Sequence, residues 1–484
     1  MEGNLLDLDY PTSTKRGVYL YMIERRSITT VTAESVLQSD VERLTGIEFA
    51  CTCGRTHRVE IERLILEQGA LRKVPDTIRQ MGLGTKALLI ADPASFVAAG
   101  DELAGQLGRS GFDVTLCVFP EDQLYADETA LVRALIELEK DTEFMIAVGS
   151  GTINDIARFV SCKAGIPYLV VATAPSMDGY ASTGSPILVN GYKKTYSLQS
   201  PLAIIGDLDV IRCAPPAMIG AGIGDMAAKI TALCDWLLAA VVEEEHYCEV
   251  TAELMTRALT NVASEVTAIR TGGVPGIKKL MEGLVLSGIA MQMIGNSRPA
   301  SGAEHHISHY WEMLHFAAGH RPELHGIKVG AATPLIARLY AELLEADMGE
   351  WNMTEKDAAQ IAEWETNLRR CYGPLAEDMI AENRSLLLSQ PELDVRMNRL
   401  VRGWPELKPK LRTLLGLVPD LKALLRDAGA PAEPREIGVA RQELSDALRV
   451  AKEVRSRYTV LQLADQLGLL ERFAEERTRE SFAP

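Results

Sequence analysis

The stretch Phe144-Met-Ile-Ala-Val-Gly-Ser-Gly-Thr-Ile-Asn-Asp155 decides the fold class of this chain. Its first five residues are apolar, as is typical of a strand that is buried on both faces of a sheet. The glycines that follow indicate a tight turn into a helix, where free N–H groups can bind the pyrophosphate of a nucleotide. Asn154 stands where the dinucleotide-binding pattern has its third glycine, so an ordinary strand-to-helix turn is the alternative interpretation.

The segments on either side of this stretch repeat the same alternation. Short apolar runs at residues 86–92, 113–119 and 167–172 predict three more buried strands. Helical patterns at residues 95–107 and 128–139 separate them. Strands that alternate with helices are typical of a parallel sheet, so this part of the chain is predicted to be an α/β domain.

After about residue 215 the strand pattern ends and amphipathic helical patterns continue to the C-terminus. The clearest of these patterns lie at residues 225–244, 247–271, 354–370 and 441–457. Pro215 and Pro216 interrupt both periodicities near the change. We therefore predict an α/β N-terminal domain over residues 1–212 and an all-α C-terminal domain over residues 213–484.

The composition excludes several classes of protein. Hydrophobic residues make up 47% and charged residues 24% of the 484 residues, which is typical of a globular chain. The 50 basic and 66 acidic residues give a net charge of −16, and such a surface repels the phosphates of nucleic acids. The cysteines are scattered apart from Cys51 and Cys53, as in a reduced chain. Since there is neither a signal peptide nor an apolar run of about 20 residues, we expect a soluble cytoplasmic protein without a membrane span.

Six of the 8 histidines lie within residues 305–325. Neutral imidazole is the most common metal ligand, and His305 and His309 are one helical turn apart. The H-E-x-x-H pattern of a metalloprotease is absent. Asp225, at the end of a glycine-rich stretch, could supply a carboxylate ligand, and a helix N-cap is its alternative role. The pattern favours a metal site.

The segment Cys51-Thr-Cys-Gly-Arg-Thr-His57 offers three soft ligands. A closed structural zinc site needs four, and no second Cys-x-x-Cys or nearby His supplies the last one. We therefore interpret the segment as a β-turn with buried thiols.

The polar segment Ala172-Thr-Ala-Pro-Ser-Met-Asp-Gly-Tyr-Ala-Ser182 follows the fourth predicted strand. It would lie at the carboxyl edge of the sheet, where α/β proteins bind their ligands. An ordinary loop with an Asx-turn at Asp178 is the alternative.

Taken in order, these motifs resemble the sn-glycerol-1-phosphate dehydrogenases, above all their bacterial AraM-type branch. The family belongs to the dehydroquinate synthase-like superfamily, together with the iron-containing alcohol dehydrogenases and glycerol dehydrogenase. The resemblance covers about residues 45–470 and includes the Cys51–His57 segment as a trait of the branch. The segments that carry it are Gly149-Ser-Gly-Thr-Ile-Asn-Asp155, Thr173-Ala-Pro-Ser-Met-Asp178, Gly224-Asp225, Arg298-Pro-Ala-Ser-Gly-Ala-Glu-His305 and His325-Gly326.

This resemblance implies a dehydroquinate synthase-like fold, with an N-terminal nucleotide-binding domain, a helical C-terminal domain and an active site between them. It implies that Asp225, His305 and His325 bind one divalent metal ion, and that Asp178 faces the substrate. The residues expected to contact the nicotinamide cofactor are Asp92, Gly149, Ser150, Gly151, Asn154, Asp155, Thr173, Ser176 and Ser182.

The substrate-binding residues are less sharply defined by the sequence. We expect Asp178, Asp225, Arg298 and His309 to contact the substrate, with Asp178 and His309 as the catalytic candidates. His309 is one turn beyond His305 and could relay a proton. Arg298, Lys193 and Lys194 are the cationic candidates for binding a substrate phosphate.

The activity implied by the family is the reversible reduction of dihydroxyacetone phosphate to sn-glycerol 1-phosphate, which feeds glycerophospholipid synthesis. The cofactor would be NAD(H) or NADP(H), the metal zinc, nickel or iron, and the assembly a homodimer. The chemistry is coherent, because reducing a ketone needs a Lewis acid at the oxygen and a hydride donor at the carbon. The alternatives are a glycerol-type polyol dehydrogenase, a dehydroquinate synthase-like cyclase and a non-catalytic nucleotide-binding protein.

Overall fold

The computed structural model describes residues 29–120, 124–189 and 192–483. The strands, in chain order, are β1 (Thr29–Thr30), β2 (Ile47–Ala50), β3 (Thr56–Arg58), β4 (Arg63–Glu67), β5 (Lys86–Ala91), β6 (Asp113–Val118), β7 (Phe144–Gly149), β8 (Tyr168–Ala172), β9 (Gly184–Val189), β10 (Tyr192–Ser197) and β11 (Ala203–Asp207).

The α-helices of the first half are α1 (Ala33–Gln38), α2 (Val74–Gln80), α3 (Pro93–Ser95), α4 (Asp101–Arg109), α5 (Glu128–Ile136), α6 (Gly151–Ala164), α7 (Leu208–Ile211), α8 (Pro216–Ala227) and α9 (Lys229–Val242). Those of the second half are α10 (Glu249–Ser264), α11 (Val266–Arg270), α12 (Val274–Ile294), α13 (Ala303–Ala317), α14 (His325–Glu345), α15 (Ala358–Tyr372), α16 (Ala376–Asn383), α17 (Gln390–Leu415), α18 (Leu421–Asp427), α19 (Arg441–Val450), α20 (Val460–Gln466) and α21 (Leu470–Ser481).

The central sheet has six strands in the order β4-β11-β8-β7-β5-β6, and every neighbouring pair is parallel. Successive residues of β5 enter two different cores: Leu89 packs in the core that includes residues of α2 and α4, and Leu88 and Ile90 pack in the core that continues into the helical half. Because both faces of β5, β7 and β8 are covered, these strands read as continuous apolar runs, and this is why the sequence predicted them.

The structure confirms the α/β fold with a helical second half, and the predicted strands are β5, β6, β7 and β8. It adds the parallel strands β4 and β11 and a separate antiparallel hairpin of β9 and β10. A small sheet of β1, β2 and β3 occupies a region that the sequence pattern left unassigned. The division between residues 212 and 213 stays a prediction.

Several helix boundaries differ from the prediction. The pattern predicted over residues 225–244 is divided at Ala228 between α8 and α9, and α8 already begins at Pro216, because proline fits the first turn of a helix, where its missing N–H costs nothing. The pattern over residues 247–271 is divided between α10 and α11 at Glu265. In the part of the chain that the structure describes, none of the helices combines the length and apolar character that crossing a bilayer requires.

Candidate active site

Three helices meet at Asp225, His305 and His325. Asp225 lies in α8, His305 in the first turn of α13, and His325 is the first residue of α14. Each side chain offers a ligand atom, and these atoms lie within 4.8 Å of one another. His305 Nε2 is 3.9 Å from Asp225 Oδ1, and the two imidazole centroids are 5.2 Å apart. The fold therefore brings together three side chains that are far apart in the sequence.

Close packing of α8 against α14 produces this arrangement. A Cβ added at Gly224 would overlap the carbonyl oxygen of Gly326, and one added at Gly326 would overlap that of Ala221. Only glycine permits two helix backbones to approach so closely. Asp225 itself is fully buried inside α8, so the alternative role as a helix N-cap is wrong.

Glu304 orients the imidazole of His305. His305 Nδ1 lies 2.7 Å from Glu304 Oε1, and the same carboxylate accepts hydrogen bonds from Thr231 Oγ1 (2.6 Å) and the Gly302 N–H (2.7 Å). Burial would raise the pKa of Glu304, but these hydrogen bonds lower it, so the group is an ionised acceptor. His305 Nδ1 therefore donates to Glu304, and Nε2 faces Asp225.

Asp225, His305 and His325, which we call the metal-binding triad, fit a divalent metal ion. His325 Nδ1 is buried and has no hydrogen-bond partner among the described residues, as expected of an imidazole available for coordination. Two nitrogens and one carboxylate oxygen suit zinc, nickel, iron or cobalt comparably well. Three protein ligands also leave a coordination position for a substrate.

A buried network links Asp178 to the triad. The Asp178 N–H donates to Asp225 Oδ2 (3.0 Å), so the loop after β8 reaches the metal-binding residues. Lys229 Nζ donates to Asp178 Oδ2 (2.6 Å), to Asp225 Oδ1 (2.8 Å) and to the Ala300 carbonyl (3.1 Å), and Ser287 Oγ donates to Asp178 Oδ2 (2.7 Å). The side chain of Asp178 is therefore fixed in position.

Lys229 remains charged despite complete burial. Burial would lower the pKa of its ammonium group, but the carboxylates of Asp178 and Asp225 raise it above the ordinary value. The sequence analysis missed Lys229 and its partner Ser287. The available signal was a lysine one turn after Asp225 in an otherwise apolar helix.

A cluster of cationic side chains surrounds Glu312 and His309. Lys193 Nζ donates to both carboxylate oxygens of Glu312 (2.9 Å each), and Lys328 Nζ lies 3.4 Å from Glu312 Oε2. His309 Nδ1 lies 3.5 Å from the same oxygen, and its Nε2 lies 3.3 Å from Arg455 Nη2. We call Lys193, Lys328 and Arg455 the cationic cluster.

The cationic cluster borders the metal-binding triad, because the ring of His309 stacks 5.7 Å from that of His325. The carboxylate of Glu312 contacts both Lys193 and Lys328. Burial lowers the pKa of Lys328 to about 8, while Glu312 acts in the opposite direction. Burial also holds the pKa of His309 well below its ordinary value, with Glu312 opposing the shift, so its imidazole is neutral.

Two of the predicted phosphate-binding residues lie elsewhere. Arg298 Nε donates to Glu245 Oε1 (2.8 Å) and its Nη1 to the Tyr458 carbonyl (2.8 Å), so its guanidinium is occupied by protein acceptors. Lys194 is exposed and lies over the ring of Tyr196, 5.8 Å from its centroid. Of the three cations predicted from the sequence, only Lys193, which precedes Lys194 on β10, belongs to the cationic cluster.

The predicted cofactor-binding residues lie along the carboxyl edge of the sheet. Asp92 follows β5 and caps α3 by accepting from the Ser95 N–H (2.8 Å). Ser150 joins β7 to α6 between Gly149 and Gly151, and the Thr173 N–H after β8 donates to the Gly149 carbonyl (3.2 Å). Ser176 is buried in the same loop. The edge therefore presents one helix N-terminus and two loops to a ligand.

Three of the predicted cofactor residues have partners inside the protein. Asn154 Nδ2 donates to the Gly179 carbonyl (3.2 Å), and Ser182 Oγ donates to that carbonyl as well (3.2 Å). Asp155 pairs with Arg158 (3.2 Å), and burial raises its pKa to about 6 against the effect of that arginine. Of these side chains, Asn154 joins α6 to the loop after β8, whereas Ser182 bonds within that loop and Asp155 pairs within α6.

Comparison with known proteins identifies relatives of this chain. The sequence profile of the iron-containing alcohol dehydrogenase family matches residues 65–215. A glycerol-1-phosphate dehydrogenase [NAD(P)+] of Geobacillus stearothermophilus is 34% identical over 440 residues, which cover 90% of this chain and 100% of the relative. One from Halalkalibacterium halodurans is 40% identical over 294 residues, covering 60% of this chain and 73% of the relative.

A solved structure shares the fold. The structure of a probable glycerol dehydrogenase from Sinorhizobium meliloti superimposes with a TM-score of 0.56 at 15% identity, covering 85% of this chain and 97% of that one. At this identity the likeness concerns the fold alone.

Proposed function

This chain belongs to the glycerol-1-phosphate dehydrogenase family, and on that premise we propose that it reduces dihydroxyacetone phosphate to sn-glycerol 1-phosphate with NADH or NADPH. The observation that carries the proposal is the contact between the metal-binding triad and the cationic cluster through His325 and His309. A phosphorylated ketone matches these two groups, because its carbonyl needs a Lewis acid and its phosphate dianion needs cations.

Asp225, His305 and His325 would hold the metal ion, which we assign to zinc, nickel or iron. Such an ion, when bound, polarises the ketone oxygen and stabilises the negative charge that develops there. Glu304 holds the Nδ1 side of the His305 ring (2.7 Å), so that Nε2 is directed at the site. Lys229 neutralises part of the charge of Asp178 and Asp225, so that the site carries a moderate negative charge.

We assign the phosphate of the substrate to the cationic cluster. Two lysines share the single carboxylate of Glu312, and Lys328 Nζ makes no hydrogen bond within the described residues. A phosphate dianion would satisfy that ammonium group and gain charge-assisted hydrogen bonds from Lys193 and Arg455. Binding energy at this remote end of the substrate orients the carbonyl for reaction.

His309 and Asp178 are the proposed catalytic side chains. The neutral ring of His309 lies between the triad and Glu312, so we assign it to orient the substrate and to relay the proton that the product alkoxide takes up. Asp178, fixed by Lys229 and Ser287, would accept a hydrogen bond from a substrate hydroxyl.

The nicotinamide cofactor would bind along the carboxyl edge of the sheet. The N-terminus of α6 at Ser150 and Gly151 offers free N–H groups for the pyrophosphate, and Asp92 would meet the adenosine ribose. Thr173 and Ser176 would flank the nicotinamide. This assignment puts the hydride donor beside the loop after β8. The Asp178 N–H of that loop donates to Asp225.

The test compares dihydroxyacetone phosphate with dihydroxyacetone and glycerol, using both nicotinamides. We expect the phosphorylated ketone to react far faster, and a stereospecific sn-glycerol-3-phosphate dehydrogenase should not oxidise the product. If that enzyme oxidises it, or if unphosphorylated dihydroxyacetone reacts equally well, the proposal fails and a glycerol-type polyol dehydrogenase replaces it. Light scattering of the purified protein tests the homodimer that belongs to the same proposal.

A further inference from the structure

A second group of metal-binding side chains lies apart from the proposed active site. Cys51, Cys53 and His57 belong to the turn and strands of the β2–β3 hairpin, and Cys248 precedes the first residue of α10. Their ligand atoms lie within 4.8 Å of one another. Cys51, His57 and Cys248 are buried, and Cys53 is partly buried. We call these four residues the cysteine–histidine cluster.

Three of the six distances within the cluster are close to the edges of a zinc tetrahedron, and all six are within 4.8 Å. Zinc bonds of about 2.3 Å to sulfur and about 2.0 Å to nitrogen give edges of about 3.8 Å between sulfurs and about 3.5 Å between sulfur and nitrogen. Cys51 Sγ lies 3.7 Å from Cys248 Sγ, and His57 Nε2 lies 3.2 Å from Cys53 Sγ and 3.4 Å from Cys248 Sγ. A disulfide would need a sulfur separation of about 2.05 Å, so the cluster is not arranged for one.

Neighbouring residues orient the ligand atoms of His57 and Cys248 for coordination. His57 Nδ1 lies 2.6 Å from the carbonyl of Met293 and must donate to it, which leaves the lone pair of Nε2 directed at the thiols. Cys248 Sγ accepts hydrogen bonds from the N–H (3.5 Å) and Oγ1 (3.3 Å) of Thr251 in the first turn of α10. These contacts hold the sulfur of Cys248 in place beside Cys51 and His57.

We propose that Cys51, Cys53, His57 and Cys248 bind one structural Zn²⁺ in a closed site of three sulfurs and one nitrogen. Four protein ligands leave no position for a substrate, so this ion would differ in role from the one held by the metal-binding triad. Thiolates select zinc over harder divalent ions such as magnesium. The sequence favoured a simple turn for the Cys51–His57 segment because no fourth ligand lies nearby in the chain. The fourth ligand, Cys248, is 191 residues beyond His57.

Such an ion would attach the N-terminal hairpin to the helical half of the protein. Its ligands come from the β2–β3 hairpin and from α10, and Met293, whose carbonyl holds His57, is in the last turn of α12. The chain from the end of α12 leads directly into α13 and His305. The zinc would therefore stabilise the packing of the elements that support the active site.

Metal analysis of the full-length protein tests the proposal. After dialysis against a chelator, His305→Ala should retain one zinc per chain, because the closed site lies outside the triad. A mercurial that reacts with thiolates should then release that zinc to a chromogenic chelator. Cys248→Ala should lose this one equivalent, whereas Cys234→Ala, which removes another fully buried cysteine, should keep it.

A cobalt spectrum gives a second measurement that does not depend on how the cysteine variants fold. Cobalt-substituted His305→Ala should show thiolate-to-metal charge transfer together with the intense d–d bands of a tetrahedral ion. A protein that holds no tightly bound zinc in the His305→Ala background overturns the proposal. A cobalt protein without the thiolate charge-transfer band overturns it equally.

Discussion

Replacing Lys328 with Met tests the proposed phosphate subsite directly. Lys328 Nζ is buried, lies 3.4 Å from Glu312 Oε2 and makes no hydrogen bond within the described residues. Methionine is similar in length and volume, so the change removes the charge and preserves the packing of α14. The variant should also fold stably, since a buried ammonium with a lowered pKa opposes folding.

The expected loss follows from the strength of one hydrogen bond to a charged group, which is about 1.5–3 kcal/mol. Because each 1.4 kcal/mol corresponds to about a factor of ten, kcat/KM for dihydroxyacetone phosphate should fall by about 10- to 150-fold. The value for unphosphorylated dihydroxyacetone should stay nearly unchanged, since that ketone has no group to reach Lys328.

The pH dependence gives an independent readout. Burial lowers the pKa of Lys328 to about 8, so the ammonium is charged below that pH and loses its charge as the pH rises through it. The wild-type preference for the phosphorylated ketone should therefore decline between about pH 7 and about pH 9. In Lys328→Met the step in that preference should disappear.

The assay measures steady-state rates for both ketones at saturating nicotinamide and at each pH. Lys194→Met is the matched control, because Lys194 is an exposed lysine next to Lys193 on the same strand. The reasoning is refuted if Lys328→Met slows both ketones equally, or if the wild-type preference shows no change across this pH range.

Three further changes test the metal and cofactor sites. His305→Ala should abolish turnover and remove one metal equivalent by mass spectrometry, whereas the exposed His320→Ala should do neither. Gly326→Ala should separate α8 from α14, weaken metal binding and cost about 1–3 kcal/mol in thermal unfolding, while Gly108→Ala, with open space around its Cβ, should not destabilise the protein. Gly151→Val should abolish the fluorescence change on NADH titration with the metal content intact, because a side chain there blocks the approach of the pyrophosphate, and a normal titration would contradict the cofactor assignment.

The fold was predictable where burial dominates a whole segment. In β7, residues of opposite parity pack into different cores, so Met145 and Ile146 are both apolar and the strand reads clearly in the sequence. In β4 only Leu64 and Leu66 are buried, and charged residues stand at both ends, so its pattern is weaker. The sequence therefore located four neighbouring strands, from β8 to the edge strand β6, and missed β4 and the short buried strand β11.

Some residues of the candidate site were predictable from the sequence and others were not. The order of short motifs along the chain was enough to select Asp225, His305 and His325, which the fold then brings within 4.8 Å of one another. Lys229 and Lys328 belong to no such motif. Each is a lysine in a mostly buried helix, and its chemical role follows only from the carboxylates that tertiary packing places beside it.

By itself, then, the sequence predicted the α/β class, the helical second half and the family, and it selected Asp225, His305 and His325 as candidate metal ligands, because local periodicity and motif order are properties of the chain. Only the tertiary structure showed that Lys193 and Lys328 lie beside Glu312 and that Arg298 is paired with Glu245. It alone placed Cys248 beside His57, 191 residues away in the chain. The physical reason is that electrostatic interactions and coordination act over a few ångströms, and which side chains come that close depends on how the helices and strands pack.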